Sequence, residues 1–109
     1  MAEYIPNTAK WVRYQVELYE SSNGTEGITI GEPEWPVIIV THLGRKTGAI
    51  RKIPLIRVVD GDNYVMVASL GGAPKNPVWY YNLKANPNVE IRDKTEVWLM
   101  TVQEVVDPG

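Results

Sequence analysis

The sequence predicts a mainly β (α+β) domain in which five or six mostly antiparallel strands accompany two helices. Three observations lead to this prediction: a length of 109 residues, short aliphatic runs separated by glycine- and proline-rich turns, and two segments with helical spacing. The length suits one domain over residues 1–109, because single cores commonly run to roughly 100–150 residues. Hydrophobic residues form 44% of the chain and charged residues 22%, which is typical of globular proteins.

Two segments are predicted to be helical, residues 8–20 and a shorter stretch at residues 77–85. In the first, Val12, Val16 and Tyr19 recur at spacings of four and three residues and therefore share one face. We expect this face to pack on the sheet. The second helix begins after an Asn-Pro pair and ends before another, in keeping with the positional preferences of proline.

The strands are predicted from aliphatic and alternating runs bounded by turn residues. They cover residues 28–30, 36–43, 50–59, 63–69, 89–92 and 96–105. Pro54 is expected to mark an edge or a bulge, because proline cannot donate to a ladder. Asp60-Gly61-Asp62 predicts a hairpin turn, so the second, third and fourth strands are expected to form a meander. Closure of the six strands into a barrel would remove exposed edges.

The composition excludes several kinds of chemistry. The chain has no Cys and one His, so it can form no disulfide, no thiolate nucleophile and no multi-histidine or cysteine-ligated metal site. We expect no metal, and if the protein is an enzyme a cofactor is expected to supply the chemistry. The longest apolar run is residues 37–40, and the N-terminus lacks the features of a signal peptide. A cytoplasmic location is therefore expected.

Charge is unevenly distributed along the chain. Residues 1–34 hold two basic and six acidic side chains, and residues 85–109 hold two and five, whereas residues 35–84 hold seven basic and two acidic ones. A local positive field within a net charge of −2 favours a specific anionic ligand over a general polyanion such as nucleic acid. The alternative is a solvated strand edge protected by Lys and Arg.

The glycine-bracketed turn Gly44-Arg45-Lys46-Thr47-Gly48, followed by Arg51 and Lys52, is the first candidate site. A tight glycine turn exposes backbone N–H groups, and the cations add charge and forked hydrogen bonds, a combination that suits phosphate or carboxylate. The spacing matches neither a P-loop nor a dinucleotide fingerprint. The alternative is a hairpin turn that two cations keep hydrated.

The second candidate lies between the predicted strand 63–69 and the second helix. Glycines at residues 71–72 would let a ligand approach the backbone, and Lys75 adds a cation near a helix N-terminus, which favours anions. The alternative is an ordinary loop. Within the helix, Trp79 is either a core residue or a platform for a planar ligand, and Asn82 either binds such a ligand or is solvated. His42 is interpreted as a packed or surface residue.

At these residues the chain resembles the deazaflavin-dependent nitroreductase family of split β-barrel oxidoreductases. The shared pattern is G-R-K-T-G, followed by G-G-A-x-K-N-P-x-W-Y-x-N-L-K-A-N-P within residues 37–105. The resemblance implies an antiparallel split β-barrel of about six strands with an N-terminal helix and a short helix between strands. It also implies coenzyme F420, an 8-hydroxy-5-deazaflavin with a phosphate and an oligoglutamate tail.

By resemblance, Arg45, Lys46 and Arg51 hold the phosphate. Ser69 is the catalytic candidate, expected either to hydrogen-bond the acceptor or to relay a proton. The full set of expected cofactor-binding residues is Arg45, Lys46, Thr47, Arg51, Lys52, Ile53, Pro54, Val67, Ala68, Ser69, Leu70, Lys75, Val78, Trp79 and Asn82. Leu70 stands where relatives often have Lys, and Ile53 where they often have Asn. Relatives also continue past residue 109 with a helix and an aromatic tail, so we expect a truncated substrate wall here.

The implied function is hydride transfer from reduced deazaflavin to a quinone, an activated alkene or a nitro compound. FMN or haem as the cofactor, and a non-catalytic deazaflavin carrier, are the alternatives. The expected partner is a small-molecule electron acceptor, with no nucleic acid and no integral membrane segment. A monomer or weak homodimer is expected, and peripheral membrane contact through the first helix remains an alternative to its packing on the barrel.

Overall fold

The computed structural model describes residues 3–67 and 77–104, in which a mostly antiparallel sheet carries two helices. The elements are α1 (Lys10–Ser21), β1 (Thr29–Ile30), β2 (Trp35–Leu43), β3 (Ile50–Ile56), β4 (Val59–Asp60), β5 (Asn63–Tyr64), α2 (Val78–Ala85), β6 (Asn88–Asp93) and β7 (Glu96–Thr101). Both predicted helices are confirmed, with starts one or two residues later than expected. The last strand ends at Thr101, earlier than the predicted residue 105. Neither described helix has the length and apolarity to cross a bilayer.

Strand β2 organises the sheet. It pairs antiparallel with β3 along seven consecutive positions, from Val37 opposite Ile56 to Leu43 opposite Ile50. On β2, residues 39–41 also pair with β6, and β6 pairs with β7 along its whole length. Within the described chain, β2 is the only strand that pairs with β3. The edge position predicted from Pro54 is therefore confirmed.

The order of pairing predicted for the meander is confirmed, since residues 50–56 pair with β2 and residues 59–60 pair with residues 63–64, but its middle strand is divided. Strand β3 ends at Ile56, and the hairpin that follows forms a separate two-stranded sheet of β4 and β5, although its turn at residues 60–62 is as predicted. The Arg57 N–H still donates to the Pro36 carbonyl at 2.8 Å, while its Nε donates to Asp93 Oδ2 at 2.8 Å and the Tyr64 hydroxyl donates to the same oxygen at 2.7 Å. Burial of the Tyr64 side chain is the main cause, and its hydrogen bond to Asp93 the second, of a Tyr64 pKa raised to about 12. The described strands consequently form an open sheet and no closed barrel.

The core lies on both faces of β2. Because side chains alternate along a strand, the four successive aliphatic residues 37–40 require cover on both sides. Val37 and Ile39 pack with the predicted face of α1, formed by Val12, Val16 and Tyr19. On the opposite face Ile38 and Val40 pack with Trp79 and Leu83 of α2 and with Val89 and Ile91 of β6. The two helices thus cover opposite faces of one strand.

Polar side chains of α1 are bonded within the fold. The Tyr19 hydroxyl accepts from the Lys94 N–H at 2.6 Å and donates to the Val37 carbonyl at 3.1 Å, and burial raises the Tyr19 pKa. Gln15 Nε2 donates to the carbonyls of Gly27 and Thr29, both at 2.9 Å. Helix α1 therefore packs on the sheet as expected, with its other aromatic residues, Trp11 and Tyr14, exposed.

Candidate functional site

A cleft of about 500 Å³ opens between the glycine-bracketed turn, the neighbouring ends of β2 and β3, and the start of α2. We call it the cationic cleft. Its lining residues are Asn7, His42, Gly44, Arg45, Lys46, Thr47, Arg51, Lys52, Ile53, Pro77, Val78, Trp79 and Asn82. The structure thus brings together most of the described residues that the sequence predicted for the site.

The turn is held by its own backbone. Gly44 N–H donates to the Ala49 carbonyl at 2.8 Å, and Gly48 N–H donates to the Gly44 carbonyl at 2.8 Å. The Thr47 hydroxyl oxygen accepts from the Ala49 N–H at 3.1 Å. Gly48 has a φ of 70°, a conformation that side chains with a Cβ rarely adopt. These bonds hold the two intervening basic residues exposed beside the cleft.

Helix α2 is joined to this turn through Asn82. The buried Asn82 side chain accepts, through Oδ1, a hydrogen bond of 3.0 Å from the Arg45 backbone N–H. The Arg45 guanidinium carbon lies 5.1 Å from the ring centroid of Tyr81, within the range of a cation–π contact. Asn82 therefore positions the basic turn, a role that the sequence did not indicate, while it also lines the cleft.

The register of β3 separates its neighbouring cations. Arg51 lies opposite His42 and Ile53 opposite Val40, on the face that α2 covers, because directly opposed residues of an antiparallel pair share a face. Lys52 and Pro54 alternate to the α1 face. The Lys52 ammonium accordingly contacts Glu20 Oε2 at 2.6 Å, although Lys52 also lines the cleft.

The other three cations of the cleft differ from Lys52. Within the parts of the chain that the structure describes, Arg45, Lys46 and Arg51 have no carboxylate within 4.0 Å. Their combined positive field is therefore available to a ligand. Such an arrangement suits a phosphate or a carboxylate, since guanidinium groups bind both through paired hydrogen bonds.

His42 is one of the residues that line the cationic cleft. It is packed, as expected, with only 4% of its surface exposed, and burial followed by the nearby Arg51 charge lowers its pKa. Its Nδ1 lies 3.4 Å from the Val40 carbonyl. We did not predict from the sequence that His42 lines the cleft. The available signal was its alternation with Ile38 and Val40 immediately before the basic turn.

Several predicted residues do not line the cleft. Pro54 is buried on the α1 face, and Val67 is 67% exposed outside the lining set. The predicted Ala68, Ser69, Leu70 and Lys75 lie outside the described residues. Conversely, Asn7, Gly44 and Pro77 join the lining. Asn7 is brought there by the chain before α1, which no local motif indicates.

A second cleft has a volume of about 520 Å³, and we call it the apolar cleft. It is lined by Thr41, His42, Leu43, Ile50, Asn88, Val89, Glu90, Leu99, Met100 and Thr101. His42 is the residue that the two linings share. Over residues 3–67 and 77–104, no group of three or more His, Asp or Glu side chains could hold a metal ion.

Comparison with known proteins gives one consistent family. Residues 11–109 match the sequence profile of the F420H(2)-dependent quinone reductases. An F420H(2)-dependent quinone reductase of Mycobacterium tuberculosis is 44% identical over 81 residues, which cover 73% of this chain and 53% of that protein. The chain therefore spans about half the length of the curated relatives it matches.

Two solved structures are also similar. An F420-H2 dependent reductase, FDR-A, aligns with a TM-score of 0.61 and 43% identity, over 67% of this chain and 65% of that one. A second, described as a domain-swapped dimer, aligns with a TM-score of 0.56 and 41% identity, over 82% and 65%. Since the family profile covers nearly all of the sequence, this chain belongs to the F420H(2)-dependent quinone reductase family.

Proposed function

We propose that this chain binds coenzyme F420 in the cationic cleft and serves as an F420H2-dependent quinone reductase. The observation that carries the proposal is the set of three cations, Arg45, Lys46 and Arg51, that lack a described carboxylate partner. The chemistry of this donor set fits a ligand that carries a phosphate and several glutamate carboxylates. The protein itself is acidic, so the local field is specific to this cleft.

The remainder of the cleft suits a planar ring system. Trp79, Val78 and Ile53 supply an apolar wall, and Asn82 supplies an amide whose oxygen already accepts from Arg45. Among residues 3–67 and 77–104 no acceptor bonds its Nδ2, which can therefore donate to a ring carbonyl. The reduced deazaflavin, when bound, supplies a hydride. The chain's own residues bind the anion, orient the ring and exclude water.

The proposed acceptor is a quinone, and the broader alternatives are activated alkenes and nitro compounds. Support for a quinone comes from the family to which the chain belongs and from the name of its relative in M. tuberculosis. Ser69, which lies outside the described residues, remains a proposed contact of the acceptor. The expected location is cytoplasmic.

Anaerobic incubation of the protein with reduced F420 and menadione tests the proposal. We expect cofactor reoxidation that depends on the protein and slows in the variant Arg45→Ala. Lys84→Ala is the matched control, because Lys84 lies on α2 outside the cleft lining and is well exposed. FMN binding without F420 binding would overturn the cofactor assignment. F420 binding without reoxidation by any acceptor would identify a carrier instead.

We also propose that the protein is a monomer or a weak homodimer. A dimer is supported by the structural relative that is described as domain-swapped. Light scattering after size-exclusion chromatography at several concentrations would distinguish the two states. A mass that stays at twice the monomer value after strong dilution would contradict weak association.

A further inference from the structure

The chain before α1 lies along the edge of β3 that β2 leaves unpaired, and we call residues 3–8 the N-terminal segment. Two backbone hydrogen bonds join this segment to Ile50, whose N–H donates at 2.7 Å and whose carbonyl accepts at 3.0 Å. The pairing is parallel, with Tyr4 opposite Ile50. Because the segment advances in the same direction as β3, it brings Asn7 into the lining of the cationic cleft, which also includes Arg51.

The backbone and the side chain of Asn7 are both held within the fold. Nη1 of Arg13 donates to the carbonyls of Asn7 and Thr8, at 3.0 and 3.2 Å. The Asn7 side chain accepts, through Oδ1, a hydrogen bond of 2.8 Å from the Ala9 N–H. Since the oxygen of the amide faces this N–H, the NH2 group of the same amide faces away from it. Over residues 3–67 and 77–104 no acceptor bonds the Asn7 Nδ2, so Asn7 keeps a donor available.

Two asparagines therefore line the cationic cleft in a similar state. In Asn82, as in Asn7, Oδ1 accepts from a backbone N–H, here that of Arg45 at 3.0 Å. The two differ in the element that carries them. Asn82 belongs to α2, which also contributes the apolar ring of Trp79, whereas Asn7 belongs to the segment along β3, the strand that contributes Arg51. An amide donor on the β3 side suits an oxygen of the anion that the cations attract, and such charge-assisted bonds are the stronger ones.

We propose that Asn7 is a further ligand-binding residue of the cationic cleft, and that its Nδ2 donates to a phosphate oxygen of the ligand. This inference rests on the proposed function. The family profile begins at residue 11, so this donor lies before the part of the sequence that the family shares. A neutral amide adds a directed hydrogen bond without adding charge. It therefore favours a phosphate whose oxygen lies within its reach, whereas the cations attract any anion.

Calorimetric titration with pyrophosphate and fluorescence titration with F420 test the assignment in Asn7→Ser and Asn7→Asp. Both replacements keep an oxygen that can accept from the Ala9 N–H, so the fold should persist, which urea unfolding measures. Ser lacks a donor with the reach of the amide, and Asp replaces the donor with a negative charge. We expect the Kd of either ligand to rise about tenfold in Asn7→Ser, or roughly 1.4 kcal/mol, and further in Asn7→Asp. Asn63→Ser and Asn63→Asp are the matched controls, since Asn63 is exposed on β5 outside the lining, and they should bind like the unmodified protein.

Three results would overturn the role of Asn7. Unchanged affinity for both ligands in Asn7→Ser would do so even if Asn7→Asp binds more weakly, because added charge alone would then explain the loss. Weaker F420 binding with unchanged pyrophosphate binding would place Asn7 on another part of the cofactor. An equal loss in the Asn63 variants would show that the effect is not local. If pyrophosphate binding depends on Asn7 while the unmodified protein does not bind F420, the proposed function falls and the phosphate contact of Asn7 stands.

Discussion

The two faces of the β2–β3 pair carry similar polar and basic residues, but these residues have different partners. On the α1 face the polar groups find partners within the fold: Tyr19 bonds to backbone atoms, and Lys52 contacts Glu20. On the α2 face, Arg51 is the next residue along the same strand, yet no described carboxylate approaches it. One residue of sequence therefore separates a cation that joins α1 to the sheet from one that faces the cleft.

This difference shows that the cations of a basic segment do not all attract an anionic ligand equally. The charge of a cation near a carboxylate is largely compensated, so it attracts a further anion weakly. A cation without such a neighbour retains its field. Counting Lys and Arg along residues 35–84 did not distinguish these cases. The β2–β3 register distinguishes them, because it fixes which face each side chain occupies.

The largest expected effect comes from the α1 face. Ile39→Ala removes a side chain with no exposed surface and should lower the free energy of unfolding by about 2–5 kcal/mol. Urea unfolding measures this, with the exposed Ile56→Ala as a control that should change stability by about 0.5 kcal/mol or less. We expect F420 affinity of the folded protein to be retained. A parallel loss of affinity would show that the two faces are not separable.

Arg45→Ala and Lys46→Ala on the α2 face should have the complementary effect. Each is expected to weaken F420 binding by about 1–3 kcal/mol, because a charged hydrogen bond to the anion is lost. Stability should change little, since both side chains are exposed. Titration of F420 fluorescence gives the affinity, and Lys84→Ala should bind like the unmodified protein. Unchanged affinity in the double variant would remove these residues from the site.

Sequence patterns predicted the parts of the fold that local periodicity determines. The aliphatic run 37–40 indicated a buried strand, and the spacing of Val12, Val16 and Tyr19 indicated the packed face of α1. The glycine-bracketed turn indicated the cationic cleft. Each of these depends on residues close in sequence, so propensity and alternation suffice.

Features that depend on distant contacts were missed or wrong. The strand predicted over residues 50–59 is divided after Ile56, and no local pattern indicated that Arg57 there bonds to Asp93, 36 residues away. Asn82 was not expected to position the turn, because its partner, the Arg45 N–H, lies 37 residues before it. Lys52 was grouped with Arg51 because both are basic and both follow the glycine-bracketed turn. Strict alternation along the strand would have separated the two residues.

A smaller effect is expected from pH, through His42. Its pKa is lowered in the folded protein, chiefly by burial, so the unfolded chain takes up the proton first as pH falls below about 6.5. Stability from the neutral form is therefore present above that pH and is lost as pH falls toward the folded pKa. In His42→Asn this loss should disappear. The stability difference between the two proteins should accordingly shift between pH 7.5 and 5, by about 1.4 kcal/mol per pH unit at most. A constant difference in urea unfolding would contradict the assignment.

The smallest expected effect is the coupling between Lys52 and Glu20. Both side chains are partly exposed, so solvent screens their attraction, and a double-mutant cycle with Lys52→Met and Glu20→Gln should give about 0.2–1 kcal/mol. The coupling should shrink in high salt. Because the Lys52 ammonium is already near a carboxylate, we expect Lys52→Met to weaken F420 binding less than Arg45→Ala does. If Lys52→Met weakens F420 binding as much as Arg45→Ala, the ion pair opens when the cofactor binds, and the separation of the two faces fails at this residue.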